Sequence, residues 1–183
     1  KKIFLDLKFH DIPTTVARAS FAAAQTGADF ISLHTCGGIK ALKMASDAAN
    51  EGASKANLPP PKLLGITVLT SWNQESFLNE LSINQSINER VKHFADIASK
   101  VGLGGCVCSP KEVKFLREIH PEPFELVTPG IRLSGTNNND QARVSDVSQA
   151  LEMGASKLVI GRAITCSPNP GLVFKSICNS VTV

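Results

Sequence analysis

The stretch Asp6-Leu7-Lys8-Phe9-His10-Asp11 brings two carboxylates and an amine together within a few residues. It follows Ile3-Phe4-Leu5, an apolar run that reads as a buried strand, and it precedes residues 16–24, which read as a helix. Side chains alternate along a strand, so Asp6 and Lys8 are expected on one face and Leu5 and Leu7 on the other. Asp11 falls beyond the strand, where the backbone turns toward Pro13, a residue suited to the first turn of a helix. An ammonium fixed beside carboxylates at the end of a strand can stabilise negative charge that develops on a reacting atom. The same residue types also form ordinary surface salt bridges, which are common and contribute little. The elements around them decide between the two readings.

A second buried strand is expected over residues 28–33, ending at His34-Thr35-Cys36-Gly37-Gly38. Residues 39–56 have helical composition, and the connector through Pro59-Pro60-Pro61 cannot continue that helix. Residues 63–69 read as a third strand with Thr70 and Ser71 at its end, followed by a short helix over 72–81. Ser86-Ile-Asn-Glu89 has the form of a capping box opening a helix to about residue 101. A fourth strand is read over 105–108. Ser109-Pro110-Lys111-Glu112 then supplies an N-cap, a first-turn proline and a first-turn acid for a helix to about residue 120. The fifth strand, 124–127, leads into Thr128-Pro-Gly-Ile-Arg132 and an asparagine-rich loop over 134–140. A helix over 146–153 precedes the sixth strand, 157–160, which runs into Gly161-Arg162.

Strand then helix, repeated six times with no hairpin, argues for a parallel sheet, doubly wound or closed as a barrel. Ligands in either architecture bind at the carboxyl ends of the strands. Those ends carry Asp6, Lys8, Asp11, His34, Thr70, Arg132 and Arg162. The recurrence of polar residues at one pole is what assigns Asp6 and Lys8 to a site.

The chain has 183 residues, 43% apolar and 19% charged, as expected for one globular domain. A net charge of +3, no tyrosine and one tryptophan argue against nucleic acid as the partner, while a phosphorylated small molecule fits. No apolar run reaches the ~20 residues of a membrane span, and residues 1–20 lack a signal-peptide core, so a cytoplasmic location is expected. Five cysteines do not suggest a disulfide framework. Cys106 and Cys108 lack the spacing partners of a metal site and read as buried thiols. His10 and His34 read as packing histidines beside the site.

Late strands of parallel barrels often hold a phosphate on backbone amides. Thr128-Pro-Gly-Ile-Arg132 and Gly161-Arg162 occupy such positions, and a guanidinium suits phosphate oxygens. Taken alone, Gly-Arg could equally be a helix cap or a surface ion pair. The combination with Phe4-Leu-Asp-Leu-Lys-Phe-His-Asp-Ile-Pro13, Val68-Leu-Thr-Ser71, Asp140-Gln-Ala-Arg-Val144 and Val159-Ile-Gly-Arg162 is more particular. In these motifs, in their order and over essentially the whole chain, the sequence resembles the bacterial orotidine 5′-phosphate decarboxylase family.

The resemblance implies an α/β fold, the (β/α)8 TIM barrel, and the conversion of orotidine 5′-monophosphate to uridine 5′-monophosphate without metal or other cofactor. It implies a homodimer with active sites shared between subunits, and no nucleic-acid or membrane partner. Lys8 would protonate C6 of the pyrimidine as carbon dioxide leaves, and Asp6 would hold Lys8 and crowd the substrate carboxylate. Asp11, with Ile12 and Thr15, would reach the partner subunit's site. Thr70 would contact the pyrimidine, and Arg132 would sit at the base of a closing loop. Gln141 on that loop, with Gly161 and Arg162, would hold the phosphate.

A full barrel needs eight strands, and only strands 3–8 of the family pattern are represented. The family's first two strands supply an aspartate and a lysine that have no counterpart before Lys1. At roughly 30 residues per strand-helix unit, residues 1–183 are expected to be one barrel domain lacking its first two units. Such a fragment, with an open edge, would be poorly active by itself and prone to associate. Cys36 and Ala163 also depart from the family, in packing rather than chemistry. Two other readings remain: a metal-dependent sugar-phosphate lyase or decarboxylase of the same superfamily, and a non-catalytic remnant that binds a phosphorylated ligand.

Overall fold

The computed structural model describes residues 1–132 and 145–181. Among them the elements begin β1 (Phe4–Phe9), α1 (Pro13–Ala24), β2 (Phe30–His34), a 3-10 turn (Thr35–Gly37), α2 (Gly38–Lys55), β3 (Lys62–Ile66), α3 (Gln74–Leu81), α4 (Ile87–Lys100) and β4 (Gly105–Val107). They continue with α5 (Pro110–Ile119), β5 (Glu125–Thr128), β6 (Ile131–Arg132), β7 (Ser145–Asp146), α6 (Val147–Glu152), β8 (Lys157–Leu158), α7 (Arg162–Thr165) and α8 (Pro170–Ser180). The chain divides into two compact units, Lys1–Thr67 with Glu89–Val107, and Val68–Asn88 with Cys108–Val183.

In the first unit the four strands lie in the order β1-β2-β3-β4, all parallel. Parallel neighbours cannot be joined by a tight turn, so each crossover carries a helix. β2 is buried from Phe30 to Leu33 and pairs with β3 in unbroken register, Phe30 with Lys62 through His34 with Ile66. A strand paired on both edges and covered on both faces reads as a near-continuous apolar run, as Phe30-Ile-Ser-Leu33 does apart from its one serine. Small residues on α2, Ala41, Ala45, Ala49 and Ala53, are all buried and let α1 come close. At Gly52 the approach is closest: a Cβ there would run into the carbonyl oxygen of Phe21 on α1.

The outer strand departs from expectation. Ile3-Phe4-Leu5 is expected to be buried, yet Ile3 is 57% exposed and Leu7 54%, because among the described residues β1 has a strand neighbour only on its β2 side. β3 also ends sooner than the expected residue 69. After Ile66, Thr67 gives both its N–H (3.2 Å) and its hydroxyl (2.7 Å) to the carbonyl of Val107, and the chain then leaves the ladder.

In the second unit β5 and β8 pair in parallel, Val127 with Lys157 and Thr128 with Leu158. β8 stops at Leu158 rather than residue 160. A further two-residue parallel ladder, β6 with β7, had no sequence signal. The capping signature at Ser109 is realised in part: its backbone N–H donates to the carboxylate of the fully buried Glu112 at 2.7 Å. Arg117 on α5 holds the unit's segments together. Its guanidinium donates to the carbonyls of Gly154, His120 and Phe124 and to the hydroxyl of Ser156, at 2.8–3.0 Å. Among the described residues no helix is long and apolar enough to cross a membrane.

Two substitutions test this packing. Gly52→Ala forces α1 and α2 apart and is expected to cost about 1–3 kcal/mol in urea unfolding. Arg117→Ala strands several carbonyls at once and should cost about 2–3 kcal/mol, read as a lower urea midpoint.

Candidate active site

The carboxyl end of β1 is irregular in a way that concentrates chemistry. Leu5 pairs with Ile31 and Phe9 with Leu33, so four steps along β1 match two along β2. The extra length is taken up by a bulge, in which Lys8 adopts φ 52°, the left-handed region that residues other than glycine rarely enter. The expected simple alternation is therefore broken at this point, yet Asp6 and Lys8 still meet: Lys8 Nζ lies 2.5 Å from Asp6 Oδ2.

Ser32 on β2 closes the arrangement. Its hydroxyl donates to Asp6 Oδ1 at 2.6 Å and accepts the backbone N–H of Lys8 at 2.9 Å. Ser32 is fully buried, whereas the Lys8 and Asp6 side chains are 43% and 36% exposed. An ion pair this open to water adds little stability, but it presents an ammonium to anything bound above it. Sequence reasoning missed Ser32. The available signal was a hydroxyl inside the buried run Phe30-Ile-Ser-Leu33, since buried polar groups are nearly always engaged.

Asp11 accepts the backbone N–H of Ile12 at 2.6 Å, and the Ile12 carbonyl takes the N–H groups of Thr15 and Val16 to open α1, with Pro13 in its first turn. Ile12 is 65% exposed, and Asp11 and Thr15 are exposed with it. The rings of His10 and His34 meet at a 43° tilt with centres 5.2 Å apart, and His10 Nε2 lies 3.5 Å from Cys36 Sγ. Burial raises the pKa of the Cys36 thiol above its ordinary value, which disfavours the nucleophilic thiolate.

The second unit carries the remaining candidates. Thr70 is half-buried in the turn after Leu69. The backbone of Arg132 is in β6, paired with Asp146. Gly161 and Arg162 are exposed at the start of α7, and the Gly161 carbonyl accepts the N–H groups of Ile164 (2.8 Å) and Thr165 (3.1 Å). A Cβ at Gly161 would meet nothing within 4 Å, so packing does not demand glycine here. Gln141 and the loop 134–140 lie outside the described residues. A cavity of about 430 Å³ in this unit is lined mainly by Leu151, Leu158, Ile160, Ile164, Phe174 and Ile177, and none of the candidate residues among those described borders it. Cys106 and Cys108 are buried and form no disulfide, and no cluster of three metal-ligating side chains occurs among the described residues.

His34 has its pKa lowered from 6.5, first by burial and then by the positive charges of His10 and Lys8, with Asp6 opposing. The unfolded chain therefore binds a proton that the folded one resists, and stability must fall as pH drops below about 6.5. Urea midpoints between pH 7.5 and 5 should show this decline, and His34→Gln should flatten it.

Comparison with known proteins covers the whole chain. A sequence model of the orotidine 5′-phosphate decarboxylase / HUMPS family matches residues 1–177. An orotidine 5′-phosphate decarboxylase of Prochlorococcus marinus (strain NATL1A) is 74% identical over 183 residues, all of this chain and 76% of that protein. One from Synechococcus sp. (strain WH7803) is 52% identical over 98% of this chain and 74% of its own length. Among solved structures, orotidine 5′-phosphate decarboxylase from Lactobacillus acidophilus superposes with a TM-score of 0.84 at 36% identity, over 100% of this chain and 76% of that one. The parallel strand-helix units described above are thus those of the TIM-barrel class, six of whose strands this chain carries as β1 to β5 and β8. With a family match that leaves only residues 178–183 unaligned, and relatives this similar throughout, the chain belongs to the orotidine 5′-phosphate decarboxylase / HUMPS family.

Proposed function

We propose that the protein decarboxylates orotidine 5′-monophosphate to uridine 5′-monophosphate, with Lys8 as the proton donor. The observation that carries this reading is the Asp6–Lys8 pair at the bulged end of β1, in a chain 74% identical to a protein named for that reaction.

In the proposed step the bond between C6 and the carboxylate breaks and its electron pair stays on C6. No neighbouring carbonyl can absorb that charge, so stabilisation must come from outside the ring. The Lys8 ammonium supplies it as charge develops, then transfers a proton to C6, and the neutral amine is reprotonated from solvent. Asp6 holds the ammonium in place and crowds the leaving carboxylate. No metal or organic cofactor takes part. Asp11, Ile12 and Thr15, exposed beside the pair, serve a second subunit's site in a cytoplasmic homodimer. Thr70 meets the pyrimidine, Arg132 lies at the base of the loop that carries Gln141, and Gln141, Gly161 and Arg162 grip the phosphate, whose remote binding energy assists the reacting carbon.

The test is the ultraviolet absorbance change when the protein meets orotidine 5′-monophosphate. Lys8→Ala is expected to lower turnover by about 10²–10⁴-fold, the usual weight of a positioned general acid, while leaving uridine 5′-monophosphate binding in place. A chelator should change nothing. Chelator-sensitive activity would instead favour the metal-dependent sugar-phosphate branch that shares the family name, and product binding without turnover would indicate a non-catalytic chain.

A further inference from the structure

We infer that Ser32 is the positioning residue for the Lys8 ammonium, an assignment that rests on the decarboxylase reading for its catalytic consequence. Lys8 and Asp6 are both open to water, and an exposed pair by itself does not hold two side chains in one geometry. Something buried must fix them. The Ser32 hydroxyl, fully buried on β2, is the group that touches both: it gives its one proton to Asp6 Oδ1 and takes the Lys8 backbone N–H on a lone pair.

Each contact has a separate effect. Engaging Oδ1 stops the Asp6 carboxylate from rotating and leaves Oδ2 directed at Lys8 Nζ. Receiving the Lys8 N–H satisfies a backbone donor that the bulge has removed from the regular ladder, and so holds the residue at φ 52°. The side chain of residue 8 leaves the backbone in a direction set by that dihedral. One hydroxyl therefore sets the base and the tip of the lysine together, without approaching the reacting atoms.

The experiment uses the full chain as wild type, Ser32→Ala, Ser32→Thr and Asp6→Ala. Competitive acylation read by mass spectrometry compares Lys8 with the exposed Lys175, because the contact with Asp6 occupies the Lys8 amine and shields it from the reagent. Ser32→Ala is expected to raise Lys8 labelling toward that of Lys175, as Asp6→Ala does, and Ser32→Thr to restore the wild-type ratio. With orotidine 5′-monophosphate, Ser32→Ala should lower kcat by about 10²-fold, the usual cost of misplacing a reacting group by about 1 Å, and leave KM unchanged. Thermal melts identify a variant that fails to fold. Should Ser32→Thr be such a variant, Ser32→Ala alone decides. The assignment is overturned if Ser32→Ala labels like wild type, if Asp6→Ala does not raise labelling, if a folded Ser32→Thr behaves like alanine, or if kcat and KM change together. If the wild type itself does not turn over, the labelling arm still decides the role of Ser32, and it is the decarboxylase reading that fails.

Discussion

Parallel pairing is the constraint from which the rest of the structure follows. A strand that must lie beside its predecessor in the same direction cannot return through a hairpin, so a helix carries the chain back along the sheet. The consequence within the first unit is that the ends of β1, β2 and β3 all face one way. Asp6, Lys8 and His34 are neighbours because of that geometry, although 26 residues separate Asp6 from the serine that binds it. The helices then have to fit over the strands, and the alanines of α2 with Gly52 allow α1 to do so.

Burial and charge divide the work at the site. The groups with exposed charge, Asp6 and Lys8, gain little from each other in water. Their arrangement is inherited from Ser32, which lies inside and has lost its alternative partners. His34 sits between these conditions, buried enough to resist a proton and close enough to Lys8 for the two charges to oppose one another. At Cys36 beside it the same desolvation acts in the other direction and pushes the thiol's pKa up.

Much of this was legible before any coordinates. The alternation of apolar runs with helical segments gave the six parallel strands, and the Ser109–Glu112 signature located the start of α5 to the residue. The ordered motifs, from Phe4–Pro13 to Val159–Arg162, identified the family. What could not be read was local. The ends of β3 and β8 depend on where the chain leaves a ladder, which Thr67 and the pairing of Val159 with Thr128 decide through long-range bonds. The bulge at Lys8 defies the residue's own backbone preference, so no propensity could announce it. Ser32 was hidden because one hydroxyl in an apolar strand is a weak signal until its partners, far away in sequence, are known. The exposure of β1 also depended on the absence of a second strand neighbour, which apolar content does not reveal.

The left-handed backbone at Lys8 sets conformational ease against chemistry at one position. Glycine, or to a lesser degree asparagine, would sit at φ 52° with less strain. Random variation selected for folding alone would therefore drift away from lysine at residue 8, and on the proposed reading variation selected for turnover would return to it. A screen for thermostable variants would pick out this position as an improvement and, on the proposed role of Lys8, lose turnover in the same step.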